Sequence, residues 1–187
     1  MYIDRVNDMI SFLEQIREQM RLDKLNKNKP VIGFDLDTWA NPPNRNYCGT
    51  TACAVGHAAL DPRFQENGLS MVLNYKDEHR NGTTYNHEWK SKPINNVDDI
   101  KSTNKTILHD VGSTWFFSIR YTDPVTKLIY TEFSGIDRFF DFEYSETSYI
   151  LFAADRYPSN NKSIRNVIAR LKYLVKNGED ALGDNYT

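Results

Sequence analysis

The residue types best suited to chemistry fall in one short segment, Cys48-Gly49-Thr50-Thr51-Ala52-Cys53-Ala54-Val55-Gly56-His57. A helix is expected to begin near Thr50 and to end by Leu60, because Asp61-Pro62 stops it. The unpaired N–H groups of a first helical turn form an anion site, and the helix dipole reinforces it. Gly49, Thr50 and Thr51 would then cradle a phosphate or carboxylate. A thiol at the same place has its thiolate stabilised, so Cys48 would titrate below the free value of about 8.5. One geometry thus serves two jobs, holding an anion or activating a sulfur nucleophile.

Other residues would have to complete either site. For a ligand, Trp39 or Tyr47 would stack on a base, and His57 or Arg170 would assist at the anion. For catalysis, Cys48 would attack, with His57 or His109 as base and Asp110 or Asp35 as orienter. A cysteine at a helix start followed by a histidine at a sheet edge resembles the papain-like and transglutaminase-like plan, in architecture alone. A structural role competes with each of these. Both cysteines can fill a tight alanine-rich contact, since cysteine is among the most buried residue types. His57, four residues after Cys53, shares its helix face and can be a hydrogen-bonded core histidine. No metal site or cofactor is implied, because Cys48, Cys53 and His57 lack the usual paired-cysteine spacing. His79 and His87 lie in a polar stretch and read as solvated.

The elements that must position these residues can be read from periodicity. Ile3, Val6, Ile10, Leu13, Ile16 and Met20 form a helical stripe, giving a first helix to about Leu22. Val31 to Leu36 is a short extended stretch. Gly56 inside the second helix costs about 1 kcal/mol relative to alanine, which suits a close approach of another backbone or a ligand. Pro62 to Asn67 makes one more turn, closed by Gly68, and Leu69 to Tyr75 is a strand. Lys76 to Thr106 is polar without a period; apart from the turn signal Asn81-Gly82 it reads as a long loop or insertion. Trp115 to Tyr121 and Leu128 to Phe133 form a hairpin. Ser145 is a candidate cap for a helix reaching about Tyr157. Ser159 or Asn160 would cap a last helix whose apolar face is Ile164, Val167, Ile168, Leu171, Leu174 and Val175 and whose stop is Gly178. Residues 183–187 read as a loose tail. Helices, then strands, then helices argue for an α+β fold, with helices packed on a small antiparallel sheet in one compact domain, residues 1–187.

Composition narrows the function classes. The chain has 187 residues, and 40% hydrophobic with 26% charged content is globular and neither disordered nor membrane-like. A net charge of -2 argues against general nucleic-acid binding, which needs a basic excess. No apolar run approaches the roughly 20 residues that span a bilayer, so no membrane association is expected. The opening Met1-Tyr2-Ile3-Asp4-Arg5 reads as amphipathic helix and not as a signal peptide. Two cysteines five apart suit a reducing cytoplasm.

Phe34-Asp35-Leu36-x-x-Trp39, followed by Cys48-Gly49-Thr50-x-Ala52-Cys53-Ala54-x-Gly56-His57-Ala58, resembles a family of small bacteriophage and bacterial proteins. Ile168-Ala169-Arg170-Leu171-x-x-Leu174-x-x-x-Gly178 is similar to that family's closing segment. The match covers the first third and the last quarter of the chain, and leaves about Leu69 to Tyr144 unmatched. The motif tags the family without specifying chemistry. The resemblance implies a phage-type accessory protein acting in host cytoplasm, of the kind that counters host defence. Three readings follow: binding of a small anionic ligand such as a nucleotide or cyclic nucleotide signal, direct inhibition of a host protein through the 76–106 segment, and a Cys48-dependent hydrolase or transferase. Ligand binding ranks first, the protein inhibitor second and catalysis third. A homo-oligomer is compatible with all three.

Overall fold

The computed structural model describes residues 1–26, 32–36, 50–81, 84–100, 115–144, 146–158 and 163–182. The first helix, α1 (Ile3–Leu25), runs one turn further than expected. Val6, Ile10, Leu13 and Ile16 of its stripe are buried, together with Met9 and Phe12 on the same side. Arg5 anchors its start. The guanidinium lies 4.6 Å from the Tyr2 ring centre and 4.7 Å from that of Phe139, and donates to the Phe139 carbonyl.

Two short strands follow, β1 (Ile32–Phe34) and β2 (Thr50–Ala52), paired in parallel with Ile32 opposite Thr50. Helix α2 (Ala54–Ala58) comes next, then α3 (Pro62–Gln65), with Pro62 at its start and the Asp61 side chain capping Arg63 N. Gly68 closes that turn at φ +93, where a Cβ would stand 2.2 Å from the Thr122 carbonyl oxygen.

The main sheet has four antiparallel strands in the order β4-β3-β5-β6: β3 (Leu69–Asn81), β4 (Thr84–Ile94), β5 (Trp115–Thr122) and β6 (Ile129–Thr131). The expected hairpin is β5–β6, although Phe133 belongs to the helix after it. The expected loop from Lys76 is a different structure. Lys76 to Asn81 continue β3, and β4 pairs back along them with Asn81 opposite Thr84 and Met71 opposite Ile94. Residues 97–100 then form a helical turn; the remainder of the expected loop, 101–106, lies outside the described residues, as does the tail 183–187.

Helix α4 (Glu132–Phe140) lies on β5, and Asp141 ends it in the left-handed region. Helix α5 (Thr147–Phe152) is shorter than expected, because Ala153 turns extended before the 3₁₀ turn Ala154–Arg156. Its proposed cap, Ser145, is outside the described residues. The last helix, α6 (Ile164–Asn177), begins after Ser163, so Ser159 and Asn160, also outside the described residues, are not its caps. Gly178 ends it as expected, at φ +83.

One core joins these parts. Alternation puts Met71 and Leu73 of β3, Ile94 of β4, and Phe117, Ile119 and Tyr121 of β5 on one face of the sheet. All are buried, in one cluster with α1, Phe139 and Phe140 of α4, and Val167, Leu171 and Leu174 of α6. The fold is therefore α+β, with the described helices on one side of an antiparallel sheet; on the other side Val72 and Ser118 are also buried. Among the described residues no helix is long and apolar enough to cross a membrane.

Candidate functional site

The Cys/His segment is built from β2 and α2, not from one helix. Thr50 and Thr51 are β-branched and pair with β1, and the Asp35 N–H donates to the Ala52 carbonyl at 3.1 Å. Cys53 has φ -72 and ψ 175, an extended conformation, and is the residue that caps α2. Its Sγ accepts from the Gly56 N–H at 3.3 Å. The helix start expected at Thr50 is thus displaced to Ala54. A first-turn donor there is already satisfied by a buried sulfur. Cys48 and Gly49 lie outside the described residues, as do Trp39, Tyr47 and His109.

Burial fixes the chemistry of what is described. Cys53 is 1% exposed, and desolvation pushes its thiol up to about 11, outweighing the backbone N–H of Gly56 that favours the thiolate. This sulfur caps α2, and burial favours its neutral thiol form. His57, 7% exposed, has Nε2 2.7 Å from the Gly33 carbonyl oxygen and its ring stacked on Phe34 at 6.5 Å. A carbonyl only accepts, so Nε2 carries the proton and donates. Burial lowers the His57 pKa, and the Gly33 carbonyl opposes that only in part. The ring holds α2 to β1 as a neutral donor. Ala52, Ala54, Ala58 and Ala59 are fully buried, which gives the small-residue pattern a packing role.

Arg170 belongs to another neighbourhood. It is buried in α6, donates to the Ile150 carbonyl at 2.5 Å and to that of Arg156, and stacks 3.7 Å over the Tyr157 ring centre. These bonds tie α5, the 3₁₀ turn and α6 together. No described contact joins Arg170 to His57.

A cavity of about 470 Å³ opens beside α5 and the turn after α6. Its charged lining is acidic, Glu146, Glu179 and Asp180, with the Tyr144 and Thr147 hydroxyls beside them. Glu179 accepts from the Glu143 N–H at 2.9 Å and from the Thr147 hydroxyl at 3.1 Å, while the Tyr144 hydroxyl donates to Asp180 at 2.6 Å. Such a lining repels an anion. Among the described residues no group of three His, Cys, Asp or Glu side chains could hold a metal ion.

The second face of the main sheet differs from all of these. Alternation places Asn74 of β3, Trp89 and Ser91 of β4, and Phe116 and Ser118 of β5 opposite the core. Their contacts agree. Ser91 donates to the Asn74 carbonyl oxygen at 2.6 Å, and the Asn74 amide donates to Ser118 Oγ at 2.8 Å, a polar ladder across three strands. Beside it the Trp89 and Phe116 rings meet edge to face at 5.6 Å, and both remain about half exposed, at 53% and 46%. Among the described residues β4 has no neighbour on its outer side. Beyond Tyr75, β3 is paired only with β4 among those residues, so the two continue as a ribbon.

None of the site residues expected from spacing includes Trp89 or Phe116. A period of two on β5, where buried Phe117, Ile119 and Tyr121 leave Phe116 on the other side, would have found Phe116; Trp89 lies on β4, where no such period marks it. Comparison with known proteins adds no identity: no protein-family model, no curated protein and no solved structure matches this chain.

Proposed function

We propose that this chain is a protein-binding accessory module that acts by occupying a partner through β4 and the outer face of the sheet. The observation that carries the reading is the exposed Trp89–Phe116 pair beside a strand edge that has no neighbour among the described residues. Aromatic anchors are the residues that most often carry protein interfaces, and a strand edge offers main-chain donors and acceptors. The phage-type resemblance supports a partner in the host cell. Binding of a nucleotide-like anion ranks behind it, because the helix start that would hold the anion begins instead at a buried, self-capped Cys53. Catalysis by Cys48 ranks third, since His57 is engaged with Gly33.

The test is photo-crosslinking in host cells from a reactive residue at position 91, with position 125 as control because Val125 is 86% exposed and remote in the β5–β6 turn. A single partner crosslinked from 91, absent from 125 and lost in Trp89→Ala with Phe116→Ala, is the expected result. Equal labelling from both positions, or none from 91, would sink the reading.

A further inference from the structure

We draw no further inference here: the strongest candidate, the cavity beside α5 with Glu146, Glu179 and Asp180 in its lining, is a cluster of acidic residues whose buried polar neighbour Thr147 already donates to Glu179, so that nothing in it points to a ligand.

Discussion

Cys53 and His57 are 1% and 7% exposed, whereas Trp89 and Phe116 are 53% and 46% exposed. The first pair stands in the segment with the most reactive residue types; of the second, Trp89 stands in a segment that reads as polar and featureless and Phe116 in the expected hairpin. Reactive types at helical spacing matter only if a helix forms and faces solvent. At Thr50–Ala52 the chain forms a strand instead, and every described hydrogen bond of Cys53 and His57 is internal, to α2 or β1. In the sheet, a backbone ladder brings Trp89 and Phe116 together from strands far apart in sequence. No local spacing encodes that meeting.

The contrast is broken most decisively by thiol chemistry. If the segment is core, Cys53 in the native protein should alkylate far more slowly than free cysteine. Raising its pKa from 9.0 to about 11 cuts the thiolate fraction at neutral pH by roughly a hundredfold. Burial adds the requirement that the chain open first, which multiplies the suppression further. Cys48 and Cys53 share the tryptic peptide between Arg45 and Arg63, so tandem mass spectrometry of iodoacetamide-treated protein, with the adduct located by fragment ions, gives the Cys53 rate separately from Cys48. A Cys53 rate near that of free cysteine would place this residue at a working surface and reverse the comparison.

Much of the fold was legible because burial leaves a period. The stripes of α1 and α6 each have one buried face, and a period near 3.6 follows. The β5–β6 hairpin was legible from β-branched and aromatic content, and Gly178 from its place after the last apolar residue. The ribbon was not legible. Lys76-Asp77-Glu78-His79-Arg80 is polar at every position, so nothing alternates, and only Asn81-Gly82 betrayed the turn. The β2–α2 boundary was illegible for a different reason. Ala52, Cys53 and Ala54 are small residues at home in helices, and the extended backbone at Cys53 is fixed by pairing with a distant β1, a tertiary effect that overrides local propensity.

A second effect sharpens the core side of the comparison. His57→Ala leaves the Gly33 carbonyl without its donor and opens space beside Phe34. The lost hydrogen bond and the cavity together should cost about 3 kcal/mol, read by urea denaturation. His57→Gln, which can keep a donor toward Gly33, should recover part of that loss. A cost below about 0.5 kcal/mol for His57→Ala would mean that the ring is surface decoration.

The same histidine predicts a pH dependence of smaller size. Burial lowers its folded pKa below the unfolded value of 6.5. Its contribution is therefore fully present above 6.5 and lost as pH falls toward the folded pKa, since the unfolded chain takes up a proton that the folded chain refuses. Asp137 acts with the opposite sign. Desolvation raises its pKa against the Ser148 hydrogen bonds, so its contribution is complete below 3.8 and declines as pH rises through the folded value. Subtracting the stability curve of His57→Gln from that of the wild type isolates the histidine. The difference should open below 6.5; a flat difference would mean that the ring titrates normally and is not buried.

The smallest effect belongs to the exposed pair and discriminates most. Trp89→Ala removes a half-exposed ring and one edge-to-face contact, worth about 0.5–1.5 kcal/mol beyond area burial in well-packed cases and less on a surface. The stability loss should stay below about 1 kcal/mol, and Phe116→Ala should cost a similar amount. A double-mutant cycle in urea would give the pair's coupling, expected at about 0.5 kcal/mol. An aromatic pair kept for the fold's sake would show the reverse, strong coupling and a large loss on either truncation. In that case Trp89 and Phe116 would hold β4 against β5 across β3, and the crosslink from position 91 would survive their removal in whatever protein still folds. A small loss of stability joined to complete loss of the crosslink separates recognition from architecture, because a side chain that contributes little to folding and decides association is placed for a partner.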